Sequence, residues 1–197
     1  MKRTILAILA MLLVLPLAAQ APVKLDGVRR AEAVAALLKA NDIRNSMQFD
    51  FVMTRHSSLL TEDLVSRGKA AYVYPDKVRW EVERPRRSLF VLNGGASTDR
   101  RMQALLRNVA RISEKGLVNE EDFDVTVYAD QSQWQFDLVP LRRDLAQLFT
   151  LITLLADPVS GALRSVVLTE AGGDVSYLQL SHVLKGVELD ESLFVQP

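Results

Sequence analysis

The sequence has no cysteine. That excludes a lipidated N-terminus, structural disulfides, thiolate metal sites and a cysteine nucleophile. Histidine is scarce: His56 and His182 stand far apart, with no ligand-spaced partners around either. No excess of one charge exists, since 24 basic residues meet 24 acidic ones. Removing Lys2 and Arg3 leaves 22 against 24, so the chain offers no basic surplus for a nucleic-acid partner. HExxH, GxSxG, Walker and dinucleotide-binding patterns are missing, and Asn93-Gly94-Gly95 reads as a turn. These absences point away from an enzyme and from any metal or cofactor.

What is present begins with MKRTILAILAMLLVLPLAAQA. Two cations, an apolar run too short to span a bilayer and small residues form the pattern of a secretory signal peptide over 1–19. Cleavage after Ala19 is preferred. Ala19-Gln20-Ala21 is the better small-x-small match, but Pro22 would follow that cut. The remaining 22–197 suffice for one domain, expected to be a soluble, periplasmic monomer.

Residues 24–42 carry a helical stripe of Val28, Ala31, Val34, Ala35, Leu37 and Leu38, with Asp26 as cap and Arg29 and Arg30 on the wet side. The period then becomes two. Met47, Phe49, Phe51 and Met53 predict a half-buried strand, and 55–67 a polar loop. Strands follow over 68–74, 78–84 and 88–93, separated by Pro75-Asp76-Lys77 and Arg84-Pro85-Arg86-Arg87. Along the second of these, Val78, Trp80 and Val82 point one way, and Arg79, Glu81 and Glu83 the other. A helix over 98–112 places Met102, Leu105, Leu106 and Val109 on one face.

Alternating segments 123–128, 133–139, 162–170 and 175–183, the apolar run 150–156 and a last strand at 193–195 complete the chain. Residues 141–149 read equally as helical turn or strand. Nine or ten strands with short connections predict an α+β fold. Its core is a single strongly curved antiparallel sheet, an open half-barrel with helices covering the concave face.

Glu81 and Glu83 share a strand face beside arginines, the pattern of a solvated charge ladder rather than an acid/base pair. Arg84, Arg86 and Arg87 form a basic turn, either a solubilising tip or a dock for an acidic partner.

The segment Gly68, Pro75, Arg79-Trp80-Glu81, Pro85 and Val91-Leu92-Asn93-Gly94 resembles the outer-membrane lipoprotein carrier family, the LolA-like proteins. It is most similar to their short Bacteroidetes-type members, which Leu64-Val65-Ser66-Arg67-Gly68 and Pro75-Asp76-Lys77-Val78 also fit. Val167-Leu168-Thr169-Glu170, Gly173-Asp174 and Leu189-Asp190-Glu191-Ser192-Leu193-Phe194 suit the same family.

The resemblance implies a carrier without chemistry of its own. It would take acylated lipoproteins, or other lipids, from an inner-membrane ABC transporter to an outer-membrane acceptor. The expected lining is Phe49, Phe51, Tyr72, Tyr74, Trp80, Phe90, Trp134 and Phe136, with flexible Met47 and Met53. Leu37, Leu38, Met102, Leu105, Leu106 and Val109 would form the lid. A simpler reading, ordinary core packing, stands beside it for each of these residues. Two departures weaken the match. Tyr74 occupies the position of the family's lid-latching arginine, and the arginine-rich helix replaces the usual Trp-x-Tyr strand after Gly94. A lipid-sensing regulator on the same fold is the alternative. A hydrolase would need a nucleophile–base constellation that the sequence does not display.

Overall fold

The computed structural model describes residues 21–42, 44, 46–93 and 115–195. The expected signal peptide and the helix at 98–112, with Met102, Leu105, Leu106 and Val109, lie outside these residues.

Ten strands form one antiparallel sheet. In chain order they are β1 (Val23–Leu25), β2 (Met47–His56), β3 (Leu64–Val73), β4 (Lys77–Arg84), β5 (Ser88–Leu92), β6 (Phe123–Ala129), β7 (Trp134–Pro140), β8 (Phe149–Ala156), β9 (Leu163–Glu170) and β10 (Val175–Lys185). The spatial order is β1-β6-β7-β8-β9-β10-β2-β3-β4-β5, so β1 and β5 are edges and the sheet is open. It consists of two meanders, β2–β5 and β6–β10, sewn together where β10 pairs with β2.

Register carries one face across that seam. Phe136 stands opposite Leu154, Leu154 opposite Val166, Val166 opposite Leu178, and Leu178 opposite Met53. Opposed residues project to the same side, so the alternations predicted separately for each segment form one apolar inner face.

Helix α1 (Gly27–Ala40) covers the β6–β9 half of it. Its buried positions are Ala33 and Leu37, packed with Phe136, Val127, Leu138 and Leu154. The buried stripe is therefore rotated from the expected one: Val28, Ala31 and Ala35 are exposed. In this alanine-rich helix Leu37, the large side chain that is fully buried, sets the face. Arg30, expected on the wet side, reaches across to Glu120 at 2.5 Å and to the Val125 carbonyl at 3.3 Å. Asp26 occupies the N-cap position, but its side chain makes no capping bond.

The C-terminus of α1 is fastened by Asn41, which is buried. Its amide nitrogen donates to the Leu37 and Gly161 carbonyls, both at 2.8 Å. Its oxygen accepts from the Leu163 N–H and from Lys185 Nζ, both at 3.0 Å. Lys185 also donates to the Ala40 carbonyl, and burial holds its ammonium pKa below the usual lysine value. Gly161 has φ +72°, and a Cβ there would lie 2.5 Å from the Ala36 carbonyl oxygen. Helix and β8–β9 turn approach each other that closely only because no side chain intervenes.

Other local expectations shift. The loop after β2 is shorter than predicted, since β2 runs to His56 and β3 starts at Leu64. A short helix α2 (Arg143–Ala146) occupies the undecided stretch. The predicted last strand is instead a 3-10 turn, Glu191–Phe194, on the outer face of β3–β5, with Phe194 buried against Ala71 and Val91. Arg79 donates to the Leu193 carbonyl at 3.0 Å and to Glu81 at 2.7 Å, and Lys77 pairs with Glu191 at 2.6 Å. The charged reverse of β4 is thus partly a docking strip for this turn, not only a wet surface. Buried Phe194 gives that outer face an apolar contact.

Asn41→Ala is expected to lower unfolding free energy by about 3 kcal/mol, because four hydrogen bonds, two of them buried, lose a partner at once. Urea denaturation with an unchanged m-value measures it. A loss below about 1 kcal/mol would show that the fastening is redundant.

Candidate apolar binding face

The β10–β2–β3–β4 half of the inner face has its own cluster. Phe49, Phe51 and Ala70 are buried in it, with Met47, Met53, Trp80, Val82, Leu178, Leu180 and Val183 packed around them. Among the described residues, every member comes from the sheet.

Its centre is an aromatic stack. The Phe51 and Trp80 rings lie 4.0 Å apart at 24°, and Phe49 meets Trp80 edge-on at 6.3 Å and 74°. Such pairs add about 1 kcal/mol beyond the area they bury. Gly68 makes the stack possible. It stands opposite both Phe51 and Val82, at an irregularity in the β3–β4 ladder. A Cβ on Gly68 would sit 1.8 Å from the Glu81 carbonyl oxygen and 2.9 Å from Phe51 Cζ. The Phe51 ring therefore lies down over bare backbone.

Phe90, opposite Trp80, continues the face onto β5, half-buried. Tyr72 is buried, opposite Met47 and Val78, and its hydroxyl donates to the Pro75 carbonyl at 3.4 Å. Tyr74 lies beyond the end of β3 in the turn, largely exposed, and among the described residues its hydroxyl makes no hydrogen bond. Trp134 and Phe136 share the inner face but belong to the other half. Phe136 is fully buried with Leu37 beneath α1, and Trp134 packs on that same core. Leu38 lies half-buried close to Gly116. The structure thus brings Phe49, Phe51, Trp80 and Phe90 together and separates Trp134 and Phe136 from them. The structure adds Leu178 and Leu180 to this face. Alternation in Val175–Val183 signals their strand, but only the β10–β2 pairing brings them here.

An ion cluster ends the face beyond Met53. Arg55 contacts Asp174 at 2.8 Å and Glu170 at 3.0 Å. The hydrogen bond from Arg55, aided by Ser57, holds the Asp174 carboxyl below its ordinary range. The remaining candidates for chemistry are dispersed. His56 pairs with Asp63 at 2.8 Å, His182 with Asp50 at 2.9 Å, and Glu83 with Lys69 at 3.9 Å. Among the described residues, no group of three or more His, Asp or Glu side chains could hold a metal ion, and no helix is long and apolar enough to cross a membrane. What this face offers is apolar contact.

No protein-family model matches the chain, and no curated protein matches it. Solved structures do. A LolA superfamily protein from Nitrosomonas europaea aligns over 83% of this chain and 97% of its own, at 11% identity and TM-score 0.44. A chain of the Pseudomonas aeruginosa MucA/MucB complex aligns over 86% of this chain, at 15% identity and TM-score 0.47. The match spans 62% of that longer chain. A DUF1329 family protein from Desulfovibrio piger aligns over 87% of this chain, at 8% identity and TM-score 0.40. At such values the likeness is one of outline.

Gly68→Ala is expected to destabilise the protein by about 3 kcal/mol or more, since the methyl group collides with backbone as well as with Phe51. Thermal unfolding together with Trp80 emission checks it. Unchanged stability would mean that β3 and β4 separate freely.

Proposed function

We propose that the β10–β5 half of the inner face binds acyl chains, and that the protein is a periplasmic carrier of lipoprotein acyl groups. The observation that carries this reading is the unequal cover of one continuous apolar face. Helix α1 seals the β6–β9 half into a core, whereas Trp80, Phe90, Met47 and Met53, seated on buried Phe49 and Phe51, form an aromatic and methionine face on which no described helix packs. Methionine and aromatic side chains suit a flexible apolar ligand, because they adapt without polar demands.

Burying an acyl chain is worth about 0.8 kcal/mol per methylene, so ten methylenes would contribute roughly 8 kcal/mol. That retains a chain in water, yet partial burial leaves it able to depart to a bilayer. An inner-membrane ABC transporter as donor and an outer-membrane acceptor are the partners such a route requires. Cavity residues, localisation and the processed N-terminus belong to this same proposal.

Titration of Trp134→Phe with a fluorescent fatty acid isolates Trp80 as reporter. Its emission is expected to change saturably, and Phe90→Ala is expected to weaken binding about tenfold, the loss of one aromatic contact. Silence of Trp80 at saturating ligand would overturn the reading. Passage of bound acyl peptide to acceptor vesicles separates a carrier from a sensor, which would retain it.

A further inference from the structure

The arginines of the β4–β5 turn take no part in the inner face. Strands β2 to β5 run up and down in sequence order, so the β2–β3 loop and the β4–β5 turn emerge at the same end of the sheet. Arg84, Arg86 and Arg87 are exposed there, and exposed Arg67 stands directly opposite Arg84. Like charges facing each other across an antiparallel pair weaken it. Among the described residues none of the four forms an ion pair, and all but one of the nearby acids have other partners. Glu81 binds Arg79, Glu83 faces Lys69, Asp63 pairs with His56, and Glu170 and Asp174 share Arg55. Exposed Glu62 is the one acid of the 57–63 loop that forms no ion pair among the described residues.

The same end is apolar at its tip. Leu59 is 90% exposed, and Leu60, Leu64 and Val65 are exposed with it. Single exposed aliphatic residues are ordinary. Four along one hairpin, next to four arginines without counter-charges, form a surface with two layers, one apolar and one cationic.

We propose that this end docks on an anionic phospholipid bilayer. The guanidinium groups match headgroup phosphates, which they bind through paired N–H donors. Leu59 and Leu60 lead into the first methylenes below the headgroups, the arrangement by which interfacial segments hold a membrane. An acidic protein would account for the arginines, but a bilayer accounts for cationic and apolar layers at adjacent depths. This surface is separate from the inner face, so docking holds whether or not that face binds acyl chains.

Flotation of the purified protein with phosphatidylcholine vesicles, with and without phosphatidylglycerol, tests the proposal. Binding is expected on the anionic vesicles and is expected to fall with added salt. Arg86→Gln/Arg87→Gln should reduce partition about tenfold or more, and Leu59→Ser/Leu60→Ser about threefold or more. All variants keep the same N-terminal segment, so differences between them report this surface. Fatty-acid titration of the same variants should match the wild type. Loss of vesicle binding with intact fatty-acid binding then reads docking alone, and the converse reads the inner face alone. Equal partition on the two vesicle types, or variants that float like the wild type, would overturn the proposal. Retention on immobilised polyglutamate without vesicle binding would overturn it in favour of an acidic protein partner.

Discussion

The structure depends on the pairing of β10 with β2. These strands are far apart in the chain, and each belongs to its own meander. Their register sets Leu178 against Met53 and Leu180 against Phe51. A slip of one residue would present Val52 and Asp50 to the inner side instead of Phe51 and Met53, because side chains alternate with period two. An irregularity between Ser181 and Leu184 lies at the end of the pairing, with His182 at φ +50°. It falls opposite Phe49, and the ladder that sets Leu178 against Met53 and Leu180 against Phe51 is regular.

One continuous face is divided into two clusters, and among the described residues α1 packs on only one of them. Asn41, Gly161 and Lys185 fasten the end of α1 to the β8–β9 turn and to the end of β10. Small residues at the contact allow a close approach, and Leu37 drops between Phe136 and its neighbours. The covered half is packed for stability. The other half is organised by ring stacking within the sheet itself, around Gly68. Helix packing and ring stacking thus organise different strands of the same sheet.

Alternation along β2, β4, β6 and β7 correctly assigns Phe49, Phe51, Trp80, Trp134 and Phe136 to one side of a sheet. It does not say which half of that side each occupies. That depends on where α1 lies, and an alanine-rich helix gives a weak periodic signal: exposed Val28 scores like a core residue, while buried Ala33 scores like a spacer. The need for Gly68 is a three-strand property, set by Phe51 on one neighbour and the Glu81 carbonyl on the other. The seat of Phe194 is equally non-local, since Leu193-Phe194-Val195 has the same apolar content in a strand as in a 3-10 turn. Only the outer face of β3–β5 selects between them. Tyr72 and Tyr74 have the same parity, but the strand ends between them, so one is buried and the other stands in the turn.

The aromatic stack also divides its own labour. Phe51 is 1% exposed, lying between Gly68 and the indole, and a side chain so enclosed has almost no surface left for a ligand. Trp80 is half-buried, as is Phe90 opposite it. Contact with an acyl chain would therefore fall to Trp80 and Phe90, while Phe51 fixes the height and tilt of the indole from beneath. The reverse of the same strand supports this arrangement, because Arg79 and Glu81 hold each other and Arg79 holds the C-terminal turn. A strand charged on one side and apolar on the other is anchored from its charged side. It can then leave its apolar side to a ligand without relying on a second sheet to keep it in place.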